Sequence, residues 1–226
     1  MSVTLNLTTT SGAASVSADA VVFDCDGLLF DSETVWLDML DAWCAGHGLP
    51  AGDRTLFTGL DAPAAAEILV ASMQATGRAG ADFGVGNVRA ELDAEYSKRL
   101  AAGVPMLPGA GALVAALAGR VPLAIASNGR RADVEMMLGT AGLAGHVAAV
   151  RTIDDVAFGK PAPDLYRAAA GAVGVDPTVC AAFDDSAVGT QAAAAAGMCV
   201  IGVTRAPDAS LTCQHRLTSL TDVIVA

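Results

Sequence analysis

Four short segments of this 226-residue chain place polar side chains able to do chemistry after apolar runs. Phe23-Asp24-Cys25-Asp26-Gly27 sets two carboxylates two residues apart, and the two-residue period of a strand turns both to one side at its tip. Alone, the segment reads equally as a solvated turn bent at Gly27. Asp184-Asp185 repeats the arrangement after Ala181-Ala182-Phe183, where a single Asp185 would read as a helix N-cap. Two acid pairs on strand tips that can be spatial neighbours repel unless a cation lies among them. Hard oxygen donors with room for water suit Mg²⁺. Ala126-Ser127-Asn128-Gly129 offers a hydroxyl and free backbone N–H groups at a helix start, which fits an anion or an ordinary N-cap. Phe158-Gly159-Lys160-Pro161-Ala162-Pro163 carries a lysine in a loop stiffened by two prolines; the plain alternative is a solvated loop lysine.

These tips require strands behind them. Apolar runs recur at Ala20–Phe23, Val121–Ala126, His146–Val150, Cys180–Phe183 and Cys199–Val203, nearly continuous in hydrophobicity as in strands covered on both faces. The segments between them, 109–119, 129–141, 163–174 and 186–197, have helical length and open on Asn128, Pro163-Asp164 or Asp185-Ser186. The series predicts an α/β fold with an open, doubly wound parallel sheet. One stretch, 32–105, breaks the alternation with helices only: Glu33–His47, Ala62–Thr76 and Asn87–Ala101, divided by Gly48-Leu49-Pro50, Gly59, Gly77, Gly80, Gly84 and Gly86. Entering after the first strand's carboxyl end, where open sheets bind ligands, it predicts an inserted helical cap. The core then comprises 19–31 and 106–226, and the Ser/Thr/Ala-rich start, 1–18, predicts a flexible N-terminus.

Composition limits the partners. With 53% hydrophobic and 16% charged residues the chain can bury a sizeable core. Thirteen basic against 24 acidic residues give a net charge of -11, so no broad basic surface exists for nucleic acid, and an anion site needs local donors or a cation. Five widely spaced cysteines without a CxxC pair predict reduced thiols. No apolar run reaches the ~18 residues of a membrane span, and no basic leader precedes an apolar segment. The expectation is a cytoplasmic protein without a membrane partner. Oligomeric state is left open by these residues.

In order, the DxDG, Ser-Asn, Lys-Pro and Asp-Asp segments, each after an apolar run, closely resemble the haloacid dehalogenase superfamily of aspartate-nucleophile hydrolases, in its branch with a small helical cap. The resemblance covers about residues 19–205 and implies a Rossmann-like core with the first strand central. It implies Mg²⁺-dependent hydrolysis of a small phosphorylated metabolite, a sugar phosphate by class, through an aspartyl phosphate. Asp24 would be the nucleophile, and Asp26, its pKa raised, would protonate the leaving group and then activate water. Ser127, Asn128 and Lys160 would hold the phosphoryl oxygens; Asp24, Asp26 through its backbone carbonyl, Asp184 and Asp185 would hold Mg²⁺. Dehalogenases of the superfamily lack the second aspartate, so Asp26 points to phosphoryl transfer. β-Phosphoglucomutases form the alternative. They carry a histidine where this chain has Trp36 and an arginine after the cap glycine where it has Ala62, which favours hydrolysis. A receiver-like signalling module uses similar groups but differs in length and motif order, and a non-catalytic phosphate-binding protein would be expected to lose some of these carboxylates.

Several residues carry less. Arg54, in the cap segment 54–60, could meet an anionic substrate group or stay solvated. Trp36 and Trp43, seven apart on one helix face, read as packing. Cys25 points away from its flanking aspartates and reads as a buried thiol. Glu33 suits the first turn of a helix. His47, His146 and His215 lack metal-ligand spacing.

Overall fold

The computed structural model describes residues 2–49, 54–57, 60, 62–78 and 83–226. In chain order its elements begin with β1 (Val3–Thr9), β2 (Gly12–Ala18), β3 (Ala20–Phe23), α1 (Ser32–Gly46), α2 (Ala62–Ala75), α3 (Val85–Ala101) and α4 (Ala110–Leu117). They continue with β4 (Leu123–Ala126), α5 (Arg131–Thr140), β5 (Ala149–Arg151), α6 (Asp164–Ala172), β6 (Cys180–Asp184) and α7 (Ala187–Ala196). β7 (Cys199–Val203), β8 (His215–Leu217) and β9 (Val223–Val225) close the chain. Two compact units result: Met1–Asp31 with Pro105–Ala226, and Ser32–Val104.

The larger unit is built on a six-stranded parallel sheet in the order β5-β4-β3-β6-β7-β8. Every residue of β3, β4 and β6 is buried, which is why these strands read as unbroken apolar runs instead of alternating ones. Chain order runs outward from β3 through β4 to β5, then returns to β6 on β3's other side. That reversal makes the crevice at the carboxyl ends of β3 and β6 a topological switch point. Register fixes its depth: Phe23 lies opposite Phe183, their rings stack at 5.3 Å, and the next residues are Asp24 and Asp184. Small alanines of α6 and α7, among them Ala169, Ala170, Ala192 and Ala193, pack with Val22, Ala182 and Val200 and let helix and sheet approach closely.

Three sequence expectations change. The stretch 1–18, expected to be a flexible start, is ordered over its described residues: β1 and β2 form an antiparallel hairpin of seven residue pairs, and β1 also pairs with β9 in a second sheet, β2-β1-β9. Val3, Leu5 and Leu7 are buried while Thr4, Asn6 and Thr8 face solvent, so a period-two pattern sat inside a composition that suggested disorder. The run at His146–Val150 shifts: Ala144–His146 is a 3-10 turn, and only Ala149–Arg151 pairs as a strand, beside β4. Third, β8 and β9 extend the sheets beyond the five runs read from sequence.

The smaller unit is helical, as its pattern predicts. Trp36, Met39, Leu40 and Trp43 of α1 pack with Leu69 and Met73 of α2 and Leu92 of α3. Trp36 meets Tyr96 edge-on, and Trp43 stacks on His47 at 3.9 Å, so both tryptophans serve packing. Arg54 is taken up by Asp41 and Asp38 at 2.8 and 2.6 Å within this unit. Glu33 lies in the first turn of α1. The breakers Pro50, Gly59 and Gly80 fall outside the described residues. No described helix is long and apolar enough to cross a membrane.

Candidate active site

The carboxyl edge of the parallel sheet gathers all seven residues singled out by sequence. Asp24 follows β3 directly and is tied to the neighbouring strand by its N–H, which donates to the Phe183 carbonyl at 2.9 Å. The chain then turns at Gly27, whose N–H donates to the Phe30 carbonyl at 2.9 Å and whose φ is +79°, a left-handed conformation that glycine tolerates. A Cβ there would also stand 2.4 Å from Asp185 Oδ2, so Gly27 leaves the space into which the second acid pair fits.

Lys160 crosses the site as a buried bridge. Its Nζ donates to Asp24 Oδ1 at 2.5 Å and to Asp184 Oδ2 at 2.8 Å, with only 4% of the lysine side chain exposed. Its loop is clamped by Asn128, whose Oδ1 accepts from the Lys160 N–H at 2.8 Å and whose Nδ2 donates to the Lys160 carbonyl at 3.3 Å. In this structure the Asn128 side chain therefore places the lysine. Ser127 Oγ donates to Asp26 Oδ2 at 2.9 Å and accepts from the Gly129 N–H at 2.8 Å, joining the tip of β4 to that of β3.

Burial and charge set the electrostatics. Asp24 is pushed well above the ordinary carboxylate range by loss of solvent, and Asp184, Asp185 and Asp26 add to this against the pull of Lys160. Burial would depress Lys160, but Asp24 and Asp184 outweigh it and hold the ammonium above its usual range. Cys25 is fully buried, and desolvation followed by Asp26 and Asp24 raises its thiol well above normal, so it stays protonated and inert as expected. One ammonium among four carboxylates leaves an excess of negative charge. Asp24, Asp184 and Asp185 each offer an oxygen within 4.8 Å of the others, and Gly27 leaves open the space that Asp185 fills. An all-oxygen donor set of this charge fits a hard divalent cation.

Tyr166, Ser186 and Gly189 belong to the site and were missed from sequence. Tyr166, fully buried on α6, donates its hydroxyl to Asp184 Oδ2 at 2.5 Å, and its ring lies 5.1 Å from Lys160 Nζ. Burial, then Asp184, raises its phenol well above normal, so it remains a donor. Ser186 gives Asp184 Oδ1 two more bonds, from N–H at 2.9 Å and Oγ at 2.8 Å. Asp184 is thus held by four donors, and Gly189 makes room for it: a Cβ there would lie 1.9 Å from Asp184 Oδ2. A signal for Tyr166 existed. It shares the apolar face of α6 with Leu165, Ala169 and Ala170, and a buried tyrosine hydroxyl needs a partner.

The switch point of this parallel sheet thus carries a lysine-bridged carboxylate, a second acid pair and a hydroxyl, the arrangement of an α/β protein with an acidic, cation-ready site. The chain belongs to the haloacid dehalogenase-like hydrolases, whose family model matches residues 18–197. It is 33% identical over 200 residues to a validoxylamine A 7'-phosphate phosphatase of Streptomyces hygroscopicus subsp. limoneus, spanning 83% of this chain and 86% of the relative. It is 32% identical over 192 residues to the protein CbbY of Rhodobacter capsulatus, spanning 80% and 83% respectively. Among solved structures, a HAD family hydrolase from Deinococcus radiodurans R1 with bound phosphate and sodium aligns at a TM-score of 0.69 and 28% identity, covering 90% of this chain and 92% of its own.

Proposed function

We propose that this protein is a Mg²⁺-dependent phosphatase that hydrolyses a small phosphorylated metabolite, a sugar phosphate by class, through a phosphoryl group carried on Asp24. The observation that carries the reading is the Lys160 bridge: one buried ammonium links the candidate nucleophile to the second acid pair. The names of relatives support a small phosphorylated substrate, since one is a validoxylamine A 7'-phosphate phosphatase and another was crystallised with bound phosphate.

Asp24 Oδ attacks phosphorus, the bond to the substrate oxygen breaks, and Asp26 delivers the proton that the leaving alkoxide needs. Water activated by Asp26 then cleaves the acyl phosphate and restores Asp24. Ser127, the Asn128 backbone and Lys160 hold the non-bridging oxygens, and Asn128 in addition fixes the lysine loop. Mg²⁺, when bound, supplies positive charge against the phosphoryl oxygens and the acid cluster. Asp24, Asp184, Asp185 and the Asp26 carbonyl would hold it, Asp184 being steadied by the bonds its oxygens accept from Lys160, Tyr166 and Ser186. The helical stretch 32–105 would serve as the cap whose side chains select the substrate.

Hydrolysis is preferred over a mutase reaction because Trp36 packs against Tyr96 where a mutase carries histidine. The test is a panel of phosphorylated metabolites assayed with Mg²⁺ and with EDTA, alongside Asp24→Asn. Release of phosphate that needs both the cation and Asp24 is expected. Turnover that survives either change overturns the mechanism, and conversion of a hexose 1-phosphate to its isomer without phosphate release overturns the preference for hydrolysis.

A further inference from the structure

The outer sheet β2-β1-β9 leaves one long edge. The family model begins at residue 18, so all of the β1–β2 hairpin but its last residue lies outside the matched region. Register shows which backbone groups the edge exposes. The Ala226 N–H donates to the Thr4 carbonyl, so even-numbered residues of β1 face β9 and odd-numbered ones face β2. The β1–β2 pairs Leu5 with Val16 and Leu7 with Ala14 are therefore the hydrogen-bonded ones. Ala13, Ser15 and Ser17 consequently turn their N–H and C=O groups outward, away from β1, and no described strand pairs with them.

This edge lacks the usual protection. Natural edge strands are guarded by charge, proline, a bulge or brevity. β2 has seven residues, Gly-Ala-Ala-Ser-Val-Ser-Ala, paired without a bulge, and its outward residues Ala13, Ser15 and Ser17 are small and exposed. Charge indicates what covers it. The chain carries a net charge of -11, yet residues 2–18 contain no Asp, Glu, Lys or Arg. Two copies meeting elsewhere on a strongly acidic surface repel, whereas here they meet without like charges in contact. A partner chosen by charge finds no purchase on this strand.

We propose that β2 is a homodimer interface, in which two copies pair β2 antiparallel about a two-fold axis through Ser15. Ser15 then faces its own copy and Ala13 faces Ser17, giving about six inter-chain backbone hydrogen bonds and a continuous six-stranded sheet. The interface is isologous and self-limiting, because each copy uses its single free β2 edge.

Sedimentation velocity on the full chain, across the micromolar range, tests this together with Ser15→Pro. That substitution removes an outward N–H and leaves every β1–β2 backbone hydrogen bond in place, losing across the hairpin only the exposed bond from Ser15 Oγ to Asn6 Oδ1. The wild type is expected to sediment as a dimer and Ser15→Pro as a monomer with an unchanged circular dichroism spectrum. A monomeric wild type, or a Ser15→Pro protein that still dimerises, overturns the proposal. If Ser15→Pro misfolds, Ser15→Cys decides: under mild oxidation it should yield a covalent dimer that the wild type, with its native cysteines, does not, and absence of that dimer equally overturns the interface.

Discussion

Gly189 offers the sharpest quantitative test of how the site is built. It sits in the first turn of α7, a helical position where alanine is ordinarily better than glycine by about 1 kcal/mol. Here the added methyl would stand 1.9 Å from Asp184 Oδ2 and 2.1 Å from Oδ1, so the carboxylate must retreat by roughly 1 Å or more before carbon and oxygen can coexist. Asp184 is wholly buried and its four donors come from Lys160, Tyr166 and Ser186. A shift of that size breaks the pair on one oxygen. Hydrogen bonds to a charged group contribute about 1.5–3 kcal/mol each, so two lost bonds less the helix-propensity gain leave Gly189→Ala destabilised by about 2–5 kcal/mol. For a chain of this length that is a fall of roughly 5–15 °C in Tm, with Lys160 released from half of its anchorage and turnover reduced in parallel. Gly139→Ala is the control: it lies on the exposed side of α5 with nothing within 4 Å of its Cβ, and should gain about 0.5–1 kcal/mol. Thermal melts by circular dichroism and phosphate release measured on both variants decide the matter. Gly189→Ala as stable and active as wild type would refute the description of Asp184 as a closely fitted anchor.

Three further outcomes follow from the same geometry. Because Asp24 has a raised folded-state pKa, its ionised form opposes folding, and that stability is lost as pH rises through the folded pKa; in EDTA, Asp24→Asn should therefore melt higher than wild type at neutral pH, with the advantage vanishing in acid where both side chains are neutral. Tyr166→Phe keeps the ring beside Lys160 but removes one donor from Asp184, so denaturant melts should show a loss of about 1.5–3 kcal/mol, with kcat falling more than KM rises. Saturating Mg²⁺ should raise the wild-type Tm, by about 2.7 kcal/mol of added stability at one hundred times Kd, and Asp185→Asn should abolish the shift whatever its effect on turnover.

The sequence by itself determined the parallel sheet and the seven polar residues at its carboxyl edge. Strands covered on both faces must be continuously apolar, and Asp24, Asp26, Ser127, Asn128, Asp184 and Asp185 each follow such a run closely enough that chain direction alone puts them on one side, while Lys160, nine residues beyond β5, is brought there by its loop. Helices 32–46, 62–75 and 85–101 were legible for the same local reason. Tertiary structure decided what local pattern could not express. The N-terminal hairpin carries a local period-two pattern, but the partner that β9, from the far end of the chain, supplies to β1 is written in no window of the Ser/Thr-rich start. Tyr166 and Ser186 became part of the site because α6 and the turn after β6 converge on Asp184, and Asn128 became the clamp on Lys160 through a contact spanning 32 positions. Gly189 has a role visible only as volume, the space left for a carboxylate five residues earlier. Residue type and spacing announce which groups can react; which groups hold them in place is set by packing between segments distant in sequence, where shape and hydrogen-bond saturation, not periodicity, make the choice.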